Sequence, residues 1–456
     1  MSDISQNVRA KIEESNRPQQ DAIDSILEGW QGERGDFIFP IIDGPPGTGK
    51  TRVGVLSAAQ YVLEHDKPQI AYLAYTNYAA EKAREDFIRL GFNAENVIRL
   101  TSNPKERDWK RGIIGCSSFL TDLTPNELRL LKKASILIST LHGSGRIFKV
   151  HKQPLIIVDE FSQVSPALYF STLSKVRRTT EYNPSGYVLL GDPNQLPVIT
   201  SQPLLRPNIG VFVFARKNYY PHKLLIQYRM HQDICEVVNA LRAALNTYPL
   251  KTHESIQERT LNDLGYIWNN DNPLTDFREI LSPKNPCVII NTDNLPGYEE
   301  IGFGNSTYYP AEARLAARLA TILHQSYKHI DGHTLLPTML SPYNAQIGNI
   351  QSCLQNPQLQ KQCTTIYKAQ GREYPCVIIS FTRKNPEGWI GFLKEPEMRA
   401  QTYVGCSRAM AKLIILFSFS TFLGHGYRDF EFLYDRCKDT ALIIDDADPR
   451  WGDKND

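Results

Sequence analysis

The residues best suited to chemistry form a glycine-rich run from Ile41 to Thr51, Ile-Ile-Asp-Gly-Pro-Pro-Gly-Thr-Gly-Lys-Thr. A glycine, four free positions and then Gly-Lys-Thr is the spacing of a phosphate-binding loop, whose glycines wrap phosphates without Cβ clashes. We expect Lys50 to reach the β- and γ-phosphates of a nucleoside triphosphate and the Thr51 hydroxyl to bind Mg²⁺. The residues expected to bind the triphosphate are Gly44, Pro45, Pro46, Gly47, Thr48, Gly49, Lys50 and Thr51.

A pair of carboxylates ends a second candidate strand. Residues 155–160 are Leu-Ile-Ile-Val-Asp-Glu, so Asp159 and Glu160 should lie at the carboxyl edge of a parallel sheet, where such folds place their ligands. We expect Asp159 to hold Mg²⁺ through its water shell and Glu160 to act as general base toward the attacking water. The next candidate strand leads into Asp192 and Gln195, which we expect to face the γ-phosphate.

Alternating strands and helices must position these side chains. Phe37–Ile42 indicates a strand before the phosphate loop, Val53–Leu63 a helix after it, and Gln69–Tyr75 the next strand. The alternation predicts an α/β fold with a mostly parallel sheet flanked by crossover helices. After residue 220 the rhythm resumes, with strands such as Cys287–Asn291, in a second α/β unit that has no phosphate loop.

The length sets the domain organisation. A chain of 456 residues is too long for one ordinary core, so we predict two domains. The first spans 1–220, with a small insertion at about 101–134 where the rhythm breaks, and the second spans 221–444. We expect residues 445–456 to be a frayed acidic tail.

The composition bounds the partners and the compartment. Apolar content of 41% and charged content of 22% describe a globular protein, and a net charge of +2 gives no global basic field, so any nucleic-acid binding must come from local patches. None of the eight cysteines forms a Cys-x-x-Cys pair, which disfavours a zinc site, and scattered thiols suit a reducing compartment, cytoplasmic or nuclear. We find no secretory core and no apolar run long enough for a membrane span.

Basic residues cluster around Trp109 in the segment that breaks the rhythm. They are Arg99, Lys105, Arg107, Lys110 and Arg111. Basic residues around an aromatic ring suit a surface for single-stranded nucleic acid. Because Glu106 and Asp108 lie between them, a solvated loop is at least as good an interpretation, and both stay open.

Six motifs in a fixed order carry a family resemblance. They are Gly-Pro-Pro-Gly-Thr-Gly-Lys-Thr, Val-Asp-Glu-x-x-Gln, Gly-Asp-Pro-x-Gln-Leu-Pro, Gln-Tyr-Arg-Met-His, Gln-Gly-Arg-Glu and Ser-Arg-Ala. Together they resemble superfamily 1 helicases over about residues 17–417. The Gln-Tyr-Arg-Met-His block, with Gly-Phe-Leu at 391–393, looks like the branch of the nonsense-mediated-decay RNA helicase, senataxin and related DNA/RNA helicases.

The resemblance implies two RecA-like domains with ATP and Mg²⁺ in the cleft between them. Gln19 would read adenine, and Arg229 and Arg408 of the second domain would be arginine fingers. Because an unpaired arginine is costly to bury, we expect each finger to need the γ-phosphate as its anion. Further positions expected at the nucleotide are Gln163, Gln195, Tyr228 and Glu373.

The resemblance also implies a single strand of RNA or DNA as the partner and movement from 5′ to 3′ along it. Gln370 and Glu373 would link the nucleotide to the strand. The positions that match strand contacts in the family are Thr76, Asn77, Thr140, Pro342, Tyr343, Thr365 and Gln370.

Several positions of this sequence differ from the family pattern, so more than one function stays open. Tyr367 and Ala369 stand where members usually have Asp and Phe, Tyr403 replaces the usual Asn, and no room precedes Gln19 for the family's accessory β-barrel. The leading interpretation is a nucleic-acid-dependent ATPase that translocates and unwinds. An ATP-hydrolysing remodeller or regulatory subunit that does not unwind, with protein partners setting substrate choice, is the alternative. A small-molecule phosphotransferase is disfavoured because it gives no reason for two separated arginines in the second unit.

Overall fold

The computed structural model describes residues 2–31, 40–66, 68–151, 155–175, 186–198, 221–268, 277–302, 304, 306–395 and 398–453. The chain divides into two compact units, Met1–Leu225 and Ile226–Asp456. The predicted boundary lay between residues 220 and 221. Part of the predicted strand Phe37–Ile42 falls outside the described residues.

The first unit is built on a sheet of eight described strands, in which every neighbouring pair is parallel. The strand order is β4-β3-β5-β2-β6-β7-β1-β8. The strands are β1 (Ile41–Asp43), β2 (Ile70–Ala74), β3 (Val97–Thr101), β4 (Ile113–Gly115), β5 (Ile136–Thr140), β6 (Leu155–Asp159), β7 (Tyr187–Gly191) and β8 (His222–Lys223). The helices are α1 (Ser2–Glu13), α2 (Arg17–Gln31), α3 (Lys50–Glu64), α4 (Asn77–Arg89), α5 (Pro125–Lys133), α6 (Ser144–Val150) and α7 (Pro166–Leu173).

Continuous apolar strands explain why this sheet is parallel. All five residues of β2 are inaccessible to solvent. Strands covered by helices on both faces bury both sides, so their sequences are apolar runs rather than alternating patterns. The helix predicted from Val53 begins at Lys50, so the N-terminus of α3 follows Gly49 directly.

The segment predicted as an insertion at about 101–134 takes part in the main sheet. Its strand β4 pairs in parallel with β3 and forms the edge of the sheet. Helix α5 follows, and its first turn is closed by a capping box in which Thr124 and Glu127 exchange hydrogen bonds with each other's backbone N–H. The interruption in the alternation of predicted strands and helices therefore reflects a short strand and a short helix.

The second unit is built on a sheet of six described strands, again parallel throughout, in the order β17-β16-β18-β19-β12-β20. Its strands are β12 (Cys287–Asn291), β16 (Thr338–Ser341), β17 (Cys363–Thr365), β18 (Tyr374–Ser380), β19 (Ala409–Phe417) and β20 (Leu442–Ile444). Three two-stranded sheets accompany it: β9 (Ile226–Gln227) with β10 (Lys251–Thr252), β11 (Tyr266–Trp268) with β15 (Tyr327–His329), and β13 (Glu300–Ile301) with β14 (Thr307–Tyr308).

Helices flank this second sheet. They are α8 (Gln232–Ala244), α9 (Arg278–Leu281), α10 (Pro310–Ser326), α11 (Asn344–Cys353), α12 (Pro357–Gln360), α13 (Ile366–Ala369), α14 (Ala400–Cys406), α15 (Phe419–Phe422) and α16 (Arg428–Cys437). Described 3₁₀ turns of both units include Pro104–Glu106, Trp109–Arg111, Leu141–Gly143, Phe161–Gln163, Glu254–Ile256, Gly391–Lys394 and Pro449–Gly452. Two parallel sheets flanked by helices confirm the predicted α/β class with two RecA-like units.

Along the carboxyl edge of the first sheet, the candidate residues form two neighbouring groups. The turns after β1, β6 and β7, three adjacent strands, carry the phosphate loop, Asp159 and Asp192. The turns after β2 and β5, also adjacent, carry Thr76 and Thr140. Candidates for the nucleotide and for the strand therefore lie side by side along one edge.

The predicted acidic tail is packed, not frayed, as far as Asp453. Trp451, in the turn Pro449–Gly452, is 9% exposed, and its ring lies 4.7 Å from that of Phe277. The carbonyl of Gly452 accepts a hydrogen bond from Arg314 Nε. Charge density suggested an unfolded end, but one large apolar ring suffices to hold this segment against the core.

We find no helix among the described residues that is both long and apolar enough to cross a membrane.

Candidate nucleotide site

The phosphate loop depends on its glycines. Gly47 and Gly49 adopt φ of 81° and 85°, a left-handed conformation that side chains disfavour. A Cβ on Gly44 would lie 2.6 Å from the Cβ of Lys50, closer than real contacts allow. The Gly44 N–H donates to the carbonyl of Gly191, 2.7 Å away, which ties the loop to the end of β7. The loop is thus shaped by backbone constraints that only glycine meets.

Gln19 holds the loop from the side of α2. Its side chain is buried, and its Nε2 donates to the carbonyl of Thr48 at 2.9 Å. Its Oε1 accepts from the N–H of Asn16 at 3.2 Å. A Cβ on Gly49 would lie 2.6 Å from Gln19 Nε2, so the amide occupies the space that this glycine leaves. The structure places Gln19 against the loop, and its role toward adenine stays a prediction.

Asp159 forms the centre of a buried polar cluster. Its Oδ2 accepts from the Thr51 hydroxyl at 2.8 Å and from the Tyr72 hydroxyl at 2.8 Å, and its Oδ1 accepts from the N–H of Glu160 at 2.9 Å. Burial raises the pKa of the Asp159 carboxyl, the charge of Glu160 raises it further, and Lys50 opposes both. A hydroxyl and a carboxylate in contact are the oxygen donors that Mg²⁺ prefers, so the residues fit this ion.

Lys50 and Glu160 form a buried ion pair. Lys50 Nζ lies 3.1 Å from Glu160 Oε1, and both residues are less than a tenth exposed. Glu160 adopts a φ of 59°, which is uncommon for a residue other than glycine and is the kind of strain found at functional sites. The strand β6 therefore ends in a sharp turn that aims Glu160 at the amino group of the phosphate-loop lysine.

The remaining candidates of the first unit lie in the adjoining turns. Asp192 is inaccessible to solvent, and its Oδ1 accepts from the N–H and the Nδ2 of Asn194, at 2.9 and 3.2 Å. Gln195 is 3% exposed, and its N–H donates to the Asp192 carbonyl. Gln163 ends the 3₁₀ turn that follows Glu160 and is half-buried. The turns after β6 and β7 thus present their polar residues next to the phosphate loop.

In the second unit, Arg229 is paired with Glu373. Arg229 Nε donates to Glu373 Oε2 at 2.9 Å, and Nη1 donates to the carbonyl of Ser407 at 3.1 Å. The ring of the preceding Tyr228 stacks on that of His253, with centroids 4.6 Å apart. Two of the predicted nucleotide residues, Arg229 and Glu373, are therefore in direct contact, which their separation in sequence did not reveal.

Arg408 is bonded to its own unit. The side chain is 2% exposed; Nε donates to the carbonyl of Val404 at 2.9 Å, Nη1 to that of Arg372 at 3.0 Å, and Nη2 to the Ser407 hydroxyl at 2.9 Å. Oxygens of Val404, Arg372 and Ser407 thus accept from this guanidinium, and its expected contact with the γ-phosphate stays a prediction. Arg408 and Glu373 precede β19 and β18, whose first residues pair, so both lie at the amino edge of the second sheet.

The candidate strand contacts lie at carboxyl edges. Thr76, Thr140 and Thr365 each end or follow a parallel strand and begin a helical segment, and the hydroxyls of Thr76 and Thr140 accept from backbone N–H groups of those segments. Asn77 is exposed, and its Oδ1 accepts from Arg99 Nη2 at 3.2 Å.

Two strand candidates of the second unit are buried. Tyr343, which follows the half-buried Pro342, is 6% exposed and donates its hydroxyl to the Ile390 carbonyl at 3.4 Å. Gln370 is 7% exposed. Their side chains offer little surface, whereas Thr365 is half-buried.

Two buried polar residues carried no signal in the sequence. Tyr72 lies inside an apolar strand, where it was indistinguishable from core, yet its hydroxyl donates to Asp159. Glu312 lies in the apolar helix α10 and is inaccessible to solvent; it accepts from the Ser380 hydroxyl at 2.6 Å, the Thr382 N–H at 2.8 Å and the Thr292 hydroxyl at 3.1 Å. Burial raises the pKa of Glu312 to about 7.

Comparison with known proteins matches both units. A family model described as AAA domain matches residues 15–208, and a second model with the same description matches residues 211–419. The human DNA replication ATP-dependent helicase/nuclease DNA2 is 26% identical over 480 residues, which are 97% of this chain and 40% of that protein.

Two further relatives match over most of this chain. Regulator of nonsense transcripts 1 from Dictyostelium discoideum is 24% identical over 82% of this chain and 29% of its own length. The uncharacterized ATP-dependent helicase MJ0104 from Methanocaldococcus jannaschii is 27% identical over 78% of this chain and 53% of its own. This chain therefore spans about half or less of the length of each of these three relatives.

The fold and the site define a class, the P-loop nucleotide-binding proteins with two RecA-like α/β units. The ordered motifs of the sequence and the matches to both units indicate a family within that class. Together these findings support a place for the chain among the superfamily 1 DNA/RNA helicases, in the branch that includes Regulator of nonsense transcripts 1.

Proposed function

We propose that this chain is an ATPase that depends on single-stranded nucleic acid and couples hydrolysis to movement along the strand and its unwinding. The observation that carries the proposal is the pair of contacts at the end of β6, Lys50 with Glu160 and Thr51 with Asp159. A lysine, a general base and a set of metal ligands converge on one glycine-rich loop, which is the arrangement that phosphoanhydride hydrolysis requires.

The contact between Lys50 and Glu160 suggests how binding prepares the chemistry. Triphosphate at the loop competes with Glu160 for Lys50, because phosphate oxygens carry more charge than one carboxylate. Glu160 is then released to accept a proton from the attacking water while Lys50 stabilises the phosphates. Mg²⁺, held through Thr51 and Asp159, would neutralise charge on the β- and γ-phosphate oxygens.

We assign Gln195, Gln163 and Asp192 to the phosphate side of the nucleotide, and Gln19 with Tyr228 to its base. Arg229 and Arg408 supply guanidinium charge to the γ-phosphate in the transition state. To do so, Arg229 gives up its contact with Glu373 and binds phosphate oxygens. Arg408 likewise gives up contacts with carbonyl and hydroxyl oxygens for contacts with phosphate oxygens. Because an anion binds a guanidinium more strongly than a neutral oxygen does, the exchange for Arg408 is favourable once phosphate is within reach.

Strand binding is assigned to the carboxyl-edge threonines and their neighbours, Thr76, Asn77 and Thr140 in the first unit and Pro342, Tyr343, Thr365 and Gln370 in the second. Movement from 5′ to 3′ follows from the branch to which the chain belongs. The eight cysteines are all free, and seven of them are buried, which supports a reducing location in the cytoplasm or nucleus.

The test compares ATP turnover without nucleic acid and with matched RNA and DNA oligonucleotides across a salt series. We expect stimulation that weakens as salt rises, because the strand is held through its phosphates. Equal stimulation by both would indicate that backbone and stacking contacts dominate, whereas a preference for RNA would indicate contacts to the 2′-hydroxyl. Turnover that no oligonucleotide changes would contradict the proposal.

A remodeller that hydrolyses ATP without unwinding is the second candidate, and one observation favours it. Tyr403, which replaces the usual asparagine, is inaccessible to solvent and accepts a hydrogen bond from the buried Arg242 at 3.0 Å. Ala369 is equally buried. Two positions that differ from the family therefore serve packing. A strand-displacement assay on a tailed duplex separates the candidates: nucleic-acid-stimulated turnover without displacement would identify the remodeller.

A further inference from the structure

A cavity of about 490 Å³ opens in the first unit beside α6, away from the phosphate loop's own strand. The side chains that line it are Ser118, His142, Arg146, Phe148, Lys149 and Lys175. Its wall combines the turn after β5 with the segment between β4 and α5, the part predicted as an insertion. Thr140 is the sequence-predicted site residue that neighbours this cavity, and no sequence motif covers its lining side chains.

The cavity is cationic. Lys149 and Lys175 are exposed, Arg146 is 8% exposed, and no acidic side chain lines the cavity among the described residues. Arg146 is held in place because its Nε donates to the Cys116 carbonyl at 3.1 Å. Lys149 Nζ donates to the Ser118 carbonyl at 2.8 Å. Carbonyl partners fix these cations without cancelling their charge, so the field in the cavity favours an anion.

Two of the basic residues noticed in the sequence, Arg99 and Arg111, are paired with a carboxylate instead. Arg84, Arg99 and Arg111 all contact one carboxylate, Glu81, at 2.8, 3.2 and 3.1 Å. Burial raises the pKa of the Glu81 carboxyl, but these arginines together lower it more. The pKa of Glu81 therefore lies below its ordinary value. Arg99 also contacts Glu106 at 3.3 Å. Carboxylates therefore offset the charge of these three arginines, whereas no carboxylate lines the cavity among the described residues.

An aromatic ring accompanies the cations. Phe119 is 76% exposed, and Lys149 Nζ lies 4.3 Å from the centroid of its ring. The cavity also adjoins a strand candidate, since a side chain on Gly143 would meet Arg146 Nη1 at 2.9 Å and Thr140 Oγ1 at 3.3 Å. An exposed ring beside fixed cations is the combination that binds a nucleic-acid strand, with bases stacked on the ring and phosphates on the cations.

We propose that this cavity is a binding site for the phosphodiester backbone of the single strand, with Phe119 as a stacking surface for a base. The inference rests on the proposed function and adds four residues that no family motif supplies: Phe119, Arg146, Lys149 and Lys175. It extends the strand path of the first unit from Thr140 across α6.

The test removes two charges at the cavity and, in a matched control, two charges from the basic segment around Trp109. The first variant is Lys149→Gln with Lys175→Gln, and the control is Lys105→Gln with Lys110→Gln, both pairs being exposed lysines. Binding of a fluorescent single-stranded oligonucleotide is measured from low to high salt. Each lost phosphate contact should flatten the plot of log affinity against log salt by about 0.7, so we expect a change of about 1.4 for the first variant and none for the control.

Phe119→Ala separates stacking from charge. It should weaken binding of an ordinary oligonucleotide by about fivefold or more and leave binding of an abasic strand of the same length unchanged, because only the former has bases to stack. Melting temperatures verify that each variant is folded, and Lys149→Arg with Lys175→Arg should restore binding. Inorganic phosphate and polyglutamate serve as competitors, and neither should displace the oligonucleotide at charge-matched concentration.

Three results would overturn the site. The cavity variant and the control could lose equal affinity, Phe119→Ala could weaken abasic and ordinary strands alike, or polyglutamate could compete as well as the oligonucleotide. Those outcomes leave the proposed function standing provided that the unmodified protein binds the strand and is stimulated by it. If the unmodified protein does neither, the proposed function fails and the site fails with it.

Discussion

The two units bring charged residues together in different ways. At the carboxyl edge of the first sheet, Lys50, Thr51, Asp159 and Glu160 contact one another, and each contact joins groups that a nucleotide or a metal ion would bind. At the amino edge of the second sheet, Arg408 is bonded to its own backbone and to Ser407. Under the proposed function, ligands would replace contacts that the residues of the first group make with one another, whereas Arg408 would have to leave partners that stabilise its own unit.

This difference shows which existing contacts each unit would lose when a ligand binds. In the first unit, an ion or phosphate replaces contacts between opposite charges. In the second, we expect Arg229 to leave the Glu373 carboxylate and Arg408 to leave carbonyl and hydroxyl oxygens when an anion is presented. Under the proposed function, we therefore expect the first unit to bind the nucleotide and supply the base, and the arginines of the second unit to raise the rate of hydrolysis.

The largest effect is expected for Lys50→Ala. Without the ammonium group, the phosphates lose their main cationic contact and Glu160 loses its ion-pair partner, so we expect ATP turnover to fall to the background of the assay. Turnover is measured by phosphate release at saturating ATP. Normal hydrolysis by this variant would contradict the role of the whole first group.

Arg229→Ala and Arg408→Ala test the second group. Each should lower strand-stimulated turnover by about 10³-fold, the usual loss for an arginine finger, with little change in ATP affinity. Arg408→Ala should also lower the melting temperature, because it leaves buried carbonyl acceptors unsatisfied, and Arg229→Ala should do so less. Turnover per folded molecule is measured together with melting on the same preparations. If turnover stayed within about threefold in both variants, as for ordinary ion pairs, the arginines would be structural.

Glu160→Gln sharpens the account of the first group. The amide keeps the shape but cannot accept the proton, so turnover should fall by about two decades or more. ATP affinity should be retained, because the phosphates no longer compete with a carboxylate for Lys50. Equilibrium binding of a fluorescent ATP analogue and phosphate release are the two measurements. Loss of binding together with turnover would show that Glu160 acts by shaping the loop.

The smallest effect is expected for Glu312→Gln. Among the described residues, the hydrogen-bond donors to this buried carboxylate are two hydroxyls and a backbone N–H. With the pKa of Glu312 raised to about 7, the folded state binds the proton more tightly than the unfolded chain, so wild-type stability falls as pH rises from about 4.5 to 7. Glutamine resembles the protonated acid, so the variant should lack this fall and gain on the order of 2 kcal/mol relative to wild type between pH 5 and 8. Urea unfolding followed by tryptophan fluorescence measures the difference. An unchanged difference across that range would place the pKa of Glu312 near its ordinary value.

The strand ends were predictable from the sequence because they carry strong local patterns. The phosphate loop, the pair Asp159 and Glu160, and the parallel apolar strands all follow from short runs of residues whose types have few alternatives. The fold class follows from the same alternation and is confirmed by both sheets.

Contacts between distant segments were not predictable in this way. The pairing of Arg229 with Glu373, the hydroxyl of Tyr72 on Asp159 and the burial of Tyr343 depend on which turns the sheet brings together. The basic cluster illustrates the same limit. Glu81, the carboxylate that contacts Arg99 and Arg111, belongs to helix α4, so the order of charges along the chain could not show this pairing.

The packed end of the chain has a practical consequence for producing the protein. Trp451 packs against Phe277, and Ala447 is 1% exposed, so the turn Pro449–Gly452 covers part of the hydrophobic core of the second unit. Deleting it would uncover an aromatic surface, and truncating a buried tryptophan typically costs about 3–5 kcal/mol. Expression vectors should therefore retain residues through Asp453 and attach any affinity handle beyond it, since a shorter chain invites aggregation during purification.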